Sequence, residues 1–272
     1  MKLFGLSKHC TFVFNSKQLE CNFRFLPHVL RKSVIHKPVI NQSLNLSTSC
    51  TVSTGRKSRN TSSRSRLKMA TANLKEQYFD YFLVLDFEAT CKENEQIHPQ
   101  EIIEFPVLKI NSKTLETETT FHQYVQPRVH KELTPFCTKL TGIIQDMVDG
   151  QPHIEDVLKS FDKWMADNKL LDENVKSVFV TCGDWDLNKM LPKQAEHFKL
   201  EIPGYFNQWL NIKKAYAEVT STYPKGMMPM LEGLNITHQG RHHSGIDDCK
   251  NIGNILVELL KRGYVAKVTG SR

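Results

Sequence analysis

The sequence predicts one α/β domain, a mixed β-sheet flanked by helices, over residues 71–272. Three observations carry this. A short unbroken apolar run, Tyr81 to Leu85, has the Leu, Val and aromatic composition of a strand buried on both faces. Two further runs, Glu101–Ile110 and Thr119–Val125, are separated by turn residues and read as sequential hairpin strands. Beyond them, stretches with helical spacing alternate with another apolar run, Ser177–Cys182. The order β-β-β-α-β-α…α describes a mixed sheet with covering helices.

The elements follow one another along the chain. Residues 1–70 are rich in Ser, Thr, Asn, Lys and Arg, with 13 Lys/Arg against a single acid, Glu20. Such a segment cannot bury enough surface to offset its ordering entropy. Its composition is that of a transit peptide, for which a plastid is expected and a mitochondrion is the alternative. A second reading is a basic arm for RNA or nuclear import. Met69 offers a second start, and with it a shorter product that would stay in the cytoplasm. Residues 71–272 hold 23 Lys/Arg against 28 Asp/Glu, so the net charge of +7 belongs entirely to the front segment. The high pI therefore says nothing about nucleic-acid binding by the folded part.

The 40% hydrophobic content with 15 Phe fills one substantial core, and no apolar run is long enough to cross a bilayer. The seven cysteines form no C-x-x-C pair, which excludes a disulfide scaffold and a structural zinc site.

The first strand ends abruptly in Asp86-Phe87-Glu88. Strand side chains alternate, so Asp86 and Glu88 project side by side and Phe87 is pinned to the opposite face. Two carboxylates at the end of a buried strand repel one another, and a hard cation such as Mg²⁺ or Mn²⁺ resolves the conflict. Asn111-Ser112-Lys113 is the expected hairpin turn between the second and third strands. After Pro152, Ile154, Val157, Leu158, Phe161, Trp164 and Met165 fall at helical spacing and form a core stripe. The fourth strand runs into Gly183-Asp184-Trp185-Asp186, with a helix expected near Leu187. A polar loop, Arg241-His242-His243, leads to a last helix expected from Asp247 to Gly263, with Ile252, Ile255, Leu256, Leu259 and Leu260 on one face.

Taken singly, Asp186 and Asp247 could be helix N-caps, His243 a surface histidine, and Phe136 and Trp185 core residues. Together, four carboxylates and a histidine at strand ends and helix starts are what two-metal phosphoryl transfer needs. A histidine just outside the metal shell can deprotonate the attacking water. Spacing alone does not separate His242 from His243, or Asp247 from Asp248. A zinc hydrolase using His242 and His243 finds no third ligand at a suitable spacing.

The pattern Asp86-x-Glu88, Asp186 and His243-x-x-x-x-Asp248 resembles the DEDDh superfamily of 3′-to-5′ exonucleases. The wording of Leu85–Cys91, Phe136–Ile143, Trp185–Lys189 and Gly240–Asn251 is similar to its Eri-type exoribonucleases. The resemblance covers about residues 80–265 and implies an RNase H-like sheet. It implies that Asp86, Glu88, Asp186 and Asp248 bind two Mg²⁺ ions, with Mn²⁺ as a substitute, and that His243 is the general base. It implies further that Ala89, Thr90, Phe136 and Trp185 hold the terminal nucleotide, and leaves Asp184 as a weak alternative to Asp186. The expected activity is trimming of RNA 3′ ends on structured RNA, rRNA precursors or small RNAs, with release of 5′-mononucleotides. Because the folded part is net acidic, RNA is expected to bind locally, through the metals and Lys92, Lys139, Lys189 and Arg241. The alternatives are a 3′-to-5′ DNA exonuclease and a catalytically silent RNA-binding module.

Overall fold

The computed structural model describes residues 74–272, so the transit peptide expected over residues 1–70 lies outside the described residues. β1 (Tyr81–Leu85) sits inside the sheet. Phe82 and Val84 point to one face and Leu83 and Leu85 to the other, and all four are buried. Burying one such side chain stabilises the fold by about 1.5–3 kcal/mol. This two-faced burial is why the run carries no polar residue until it leaves the core. β2 (Glu88–Ala89) and β1 pair antiparallel with successive parts of one edge of β3 (Ile102–Asn111), and β4 (Thr117–Tyr124) takes the other edge.

The β3–β4 turn is longer than three residues. Asn111 Oδ1 accepts the N–H groups of Lys113 and Thr114, an Asx turn that carries the chain round to Thr117.

Short helices α1 (Pro135–Thr141) and α2 (Gln145–Val148), with the link between them, pack Cys137, Val148 and Ile143 on Ile103. Helix α3 (Ile154–Asp167) buries the expected stripe apart from half-buried Trp164, with Phe161 stacked on Phe206 and tilted against Phe105. β5 (Ser177–Thr181) lies parallel to β1, and β6 (Gln208–Asn211) lies parallel to β5. After β5 the chain forms a π-helical turn over Asp186–Met190 before α4 (Leu191–Phe198) begins. The helix expected near Leu187 therefore starts one residue earlier, with Asp186 inside its first, widened turn.

Helices α5 (Ile212–Thr220), α6 (Met227–Leu234) and α7 (Gly245–Lys261) cover the second face, where Ile252, Ile255, Leu256 and Leu259 meet Val84, Ile110 and Val180. β7 (Gly270–Ser271) closes the far edge, pairing with β6. The result is the expected mixed sheet between two helical layers, with strand order β2-β3-β1-β5-β6-β7 and β4 beside β3.

Helix α7 begins at Gly245, two residues before the expected Asp247. Its cap comes from a distant strand, which no local signal shows: the Glu104 carboxylate on β3 accepts the N–H groups of Gly245 at 2.9 Å and Ile246 at 3.2 Å.

Candidate active site

Four segments meet where β1 and β5 end. Asp86 follows β1, Glu88 opens β2, Asp186 opens the π turn after β5, and Asp248 lies in the first turn of α7. Asp86, Glu88 and Asp248 each bring a carboxylate oxygen within 4.8 Å of the others. Phe87 points the other way, with its ring edge-on to Phe105 at 4.7 Å in the core. The alternation read from the sequence thus places its two acids on one patch.

Asp186 is held beside this trio rather than within it. Its Oδ1 accepts the N–H of Phe87 at 2.9 Å, so it grips the backbone between Asp86 and Glu88. Asp248 reaches the patch because α7 lies hard against the strand ends. A Cβ at Gly245 would sit 2.7 Å from the Asp86 carbonyl oxygen and 3.1 Å from Glu104 Oε2, so only glycine allows this approach.

The electrostatics fit a missing positive charge. Burial, then Asp186, Glu88 and Asp248, hold the Asp86 carboxyl well above its ordinary range. Glu88 is pushed from 4.5 to about 9 by burial and by Glu104, Asp248 and Asp186. Burial lifts Asp186 to about 6 against the opposing pull of its bond to Phe87, and burial also raises Asp248. Asp248 Oδ1 is buried without a hydrogen-bond partner among the described residues. Crowded acids and an orphaned carboxylate oxygen, with only oxygen donors in the trio, suit a hard divalent cation.

His243 adopts φ +65°, and its N–H donates to Asp248 Oδ2 at 2.9 Å. Its half-buried ring stacks on His242 at 3.9 Å. Burial, His242 and Arg241 all lower its pKa, which favours the neutral imidazole. Asp247 and Asp184 face elsewhere: Asp247 accepts from the Arg241 N–H and pairs with Lys250, and Asp184 accepts from Trp209 Nε1. The structure thus separates neighbours that spacing left equal.

The expected nucleotide contacts divide. Trp185 is 42% exposed beside Asp186, and Phe136 is half-buried on α1, so Trp185 is no core residue. A cavity of about 140 Å³ lies next to Trp185, lined also by His98, Gln100, Lys189 and Lys193. Thr90 and Ala89 are buried, and Thr90 Oγ1 accepts the N–H of Glu101. Of the expected cations, Lys92 pairs with Glu95, and Arg241 donates to the carbonyl oxygens of Lys139 and Leu140.

The sequence reading missed Glu104, a fully buried acid whose Oε1 also pairs with His122 Nε2 at 2.8 Å. Its only signal was a charged residue inside the apolar run Ile102-Ile103-Glu104-Phe105. The structure also brings a third potential ligand beside His242 and His243. Asp248, five positions beyond His243, lies with them as a group whose ligand atoms are within 4.8 Å.

Residues 83–256 match the family described as Exonuclease. The chain is similar to ERI1 exoribonuclease 3 of Homo sapiens, 61% identical over 194 residues, which cover 71% of this chain and 57% of the relative. It therefore spans little more than half the length of that curated relative. It also resembles the solved nuclease domain of 3'hExo, a DEDDh family member, bound to rAMP: 39% identity, TM-score 0.69, covering 73% of this chain and 100% of that one. A structure of histone mRNA stem-loop recognition by 3'-exonuclease matches at 37% identity and TM-score 0.70, over 78% of this chain and 74% of that one. The sheet is of the RNase H-like kind seen in such nucleases, a fold that implies use of a divalent metal.

Proposed function

Because the chain belongs to the DEDDh exonuclease family, we propose that it is a divalent-metal-dependent 3′-to-5′ exoribonuclease that trims RNA 3′ ends. The convergence of Asp86, Glu88 and Asp248 oxygens within 4.8 Å, with Asp186 clamped beside them, carries this reading. The cofactor proposed is Mg²⁺, with Mn²⁺ as a substitute; when bound, a pair of ions neutralises the carboxylates and polarises the scissile phosphate.

The protein's own residues do the remaining work. Asp86, Glu88, Asp186 and Asp248 would hold the cations. His243, favoured in its neutral form, takes a proton from the attacking water on a ring nitrogen. The water oxygen bonds to phosphorus as the bond from phosphorus to the upstream 3′ oxygen breaks. That oxygen gains a proton from solvent, leaving a shortened strand with a 3′-hydroxyl and a free nucleoside 5′-monophosphate.

RNA is the proposed substrate because the similar proteins are named exoribonucleases, and one solved neighbour holds rAMP. Exposed Trp185 offers a stacking face worth about 1–3 kcal/mol per base, and Lys189 and Lys193 line the adjoining cavity. With 28 acids against 23 Lys/Arg in residues 71–272, long-range steering toward phosphate is weak. Short overhangs and the tails of structured RNAs are therefore proposed as substrates, ahead of long strands.

Incubation of the chain with 5′-labelled RNA and DNA, in Mg²⁺ or EDTA, tests this. RNA shortened from its 3′ end in Mg²⁺ alone, and spared by Asp86→Ala, is expected. Intact RNA in Mg²⁺, or preferential loss of DNA, would overturn it.

A further inference from the structure

His242, His243 and Asp248 form a second group of potential ligands, with donor atoms all within 4.8 Å of one another. Its chemistry differs from that of the carboxylate trio: two imidazole nitrogens and one carboxylate oxygen. Consecutive side chains in an extended chain point apart. Here φ +65° at His243 turns the backbone so that the two rings lie stacked, 3.9 Å apart and 23° from parallel. Asp248 Oδ2 fixes the turn by accepting the His243 N–H, and its Oδ1 has no partner among the described residues. The ring of His238 abuts His242 edge-on at 6.2 Å, and its buried Nε2 is also without a partner among those residues.

We propose that His242, His243 and Asp248 form an inhibitory binding site for a borderline transition-metal dication, Zn²⁺ above all. Zinc takes imidazole nitrogen and carboxylate oxygen at about 2.0–2.2 Å, and three protein ligands plus a water complete its tetrahedral shell. Magnesium prefers an octahedral shell of oxygens and has no preference for the imidazole pair. The histidine set therefore favours zinc over magnesium, although it shares Asp248 with the carboxylate trio. His242 is exposed, which gives an ion a path from solvent. Filling the site occupies the ring of His243 and draws on Asp248, so the water loses its proton acceptor and one of the four acids is diverted. The inhibitory consequence rests on the proposed nuclease reading; the binding itself does not.

Zinc bound to the full chain, measured by competition with a chromogenic chelator, tests the site directly. One Zn²⁺ per chain is expected. His242→Ala should weaken binding on the order of tenfold or more, and Asp86→Ala should leave it unchanged. His242→Gln, with circular dichroism on each variant, separates loss of a ligand from loss of fold. Absence of zinc binding, equal binding in His242→Ala, or loss in Asp86→Ala alone would overturn the assignment. In the exonuclease assay with excess Mg²⁺, added Zn²⁺ should slow the wild type more than His242→Ala, each relative to its own zinc-free rate. Equal slowing would overturn the inhibitory role. A chain that binds zinc through His242 yet never shortens RNA would instead sink the nuclease reading and leave the metal site standing.

Discussion

Asp186 Oδ1 accepts the backbone N–H of Phe87 at 2.9 Å, joining two strand ends that lie 99 positions apart in the chain. The bond does two things at once. It fixes the peptide between Asp86 and Glu88, and it places a third charge against a pair that already repels. Asp186→Asn keeps an acceptor for Phe87 but removes the charge, whereas Asp186→Ala removes both. The expected outcome is that Asn folds with near-normal stability and loses most turnover. Ala should lose turnover and also about 1–3 kcal/mol of stability, because a buried N–H is left unsatisfied. Paired denaturant melts and exonuclease rates check the split. Equal stability of the two variants would show that the bond contributes nothing to the strand-end geometry.

The raised pKa of Glu88 makes stability depend on pH in the metal-free protein. Unfolded, the group releases its proton near 4.5; folded, it keeps it to about 9. Between those values the native state binds more protons than the unfolded chain, so stability falls as pH rises through that window. A cation that accepts the ionised carboxylates reverses the penalty. The melting temperature in EDTA should therefore drop from pH 5.5 to pH 8.5, and the upshift on adding Mg²⁺ should be larger at the higher pH. Thermal melts at both pH values, with and without Mg²⁺, measure this. A Mg²⁺ shift independent of pH would place the ion away from Glu88.

Much of this centre is legible in the sequence because its parts lie at breaks in pattern. Asp86 and Glu88 interrupt an apolar strand, and strand alternation suffices to set them side by side with Phe87 behind. The covering helix over Ile154–Asp167 shows itself by periodicity alone. What stays hidden depends on contacts between distant segments. The start of α7 at Gly245 is set by Glu104, 141 positions earlier, and nothing near Gly245 announces it. The choice of Asp248 over Asp247 is likewise tertiary: the helix turns one toward the sheet, while Arg241 and Lys250 hold the other at the surface. The π-helical turn at Asp186 is hidden for a similar reason, since it joins Asp186's bond to Phe87 with the burial of Leu187 and Met190.

The proposed base, His243, is favoured in its unprotonated form. Burial, His242 and Arg241 depress its pKa below the ordinary 6.5, so its acid limb should lie at lower pH than that of a free histidine. His243→Ala should keep the fold and Mg²⁺ binding but lose about 10²- to 10⁴-fold in rate. His242→Ala removes one of the depressing neighbours, and the acid limb of the rate profile should then move to higher pH. Zinc-free pH–rate profiles of the wild type and the two variants decide the matter. An unshifted limb in His242→Ala would dissociate the stacked pair from the base's titration.

The approach of α7 to the sheet gives the sharpest steric test. A methyl group at position 245 would lie 2.7 Å from the Asp86 carbonyl oxygen, 3.1 Å from Glu104 Oε2 and 3.1 Å from Pro106 Cγ. The nearest of these atoms is backbone, and Glu104 is held by three hydrogen bonds, so the strain falls on the helix. Gly245→Ala should therefore cost about 1–3 kcal/mol of stability, the usual range for overpacking. The loss of activity should exceed what that stability loss explains, because lifting the first turn of α7 carries Asp248 and His243 away from Asp86 and Glu88 together. Gly253→Ala, on the same helix where a Cβ would meet the flexible end of Ile110 at 3.0 Å and Val84 Cγ2 at an ordinary 4.0 Å, serves as the control. Comparable destabilisation with a selective fall in rate for Gly245→Ala is the expected result. Equal rates in the two variants, measured well below their melting temperatures, would mean that Asp248 does not need that close contact to reach the site.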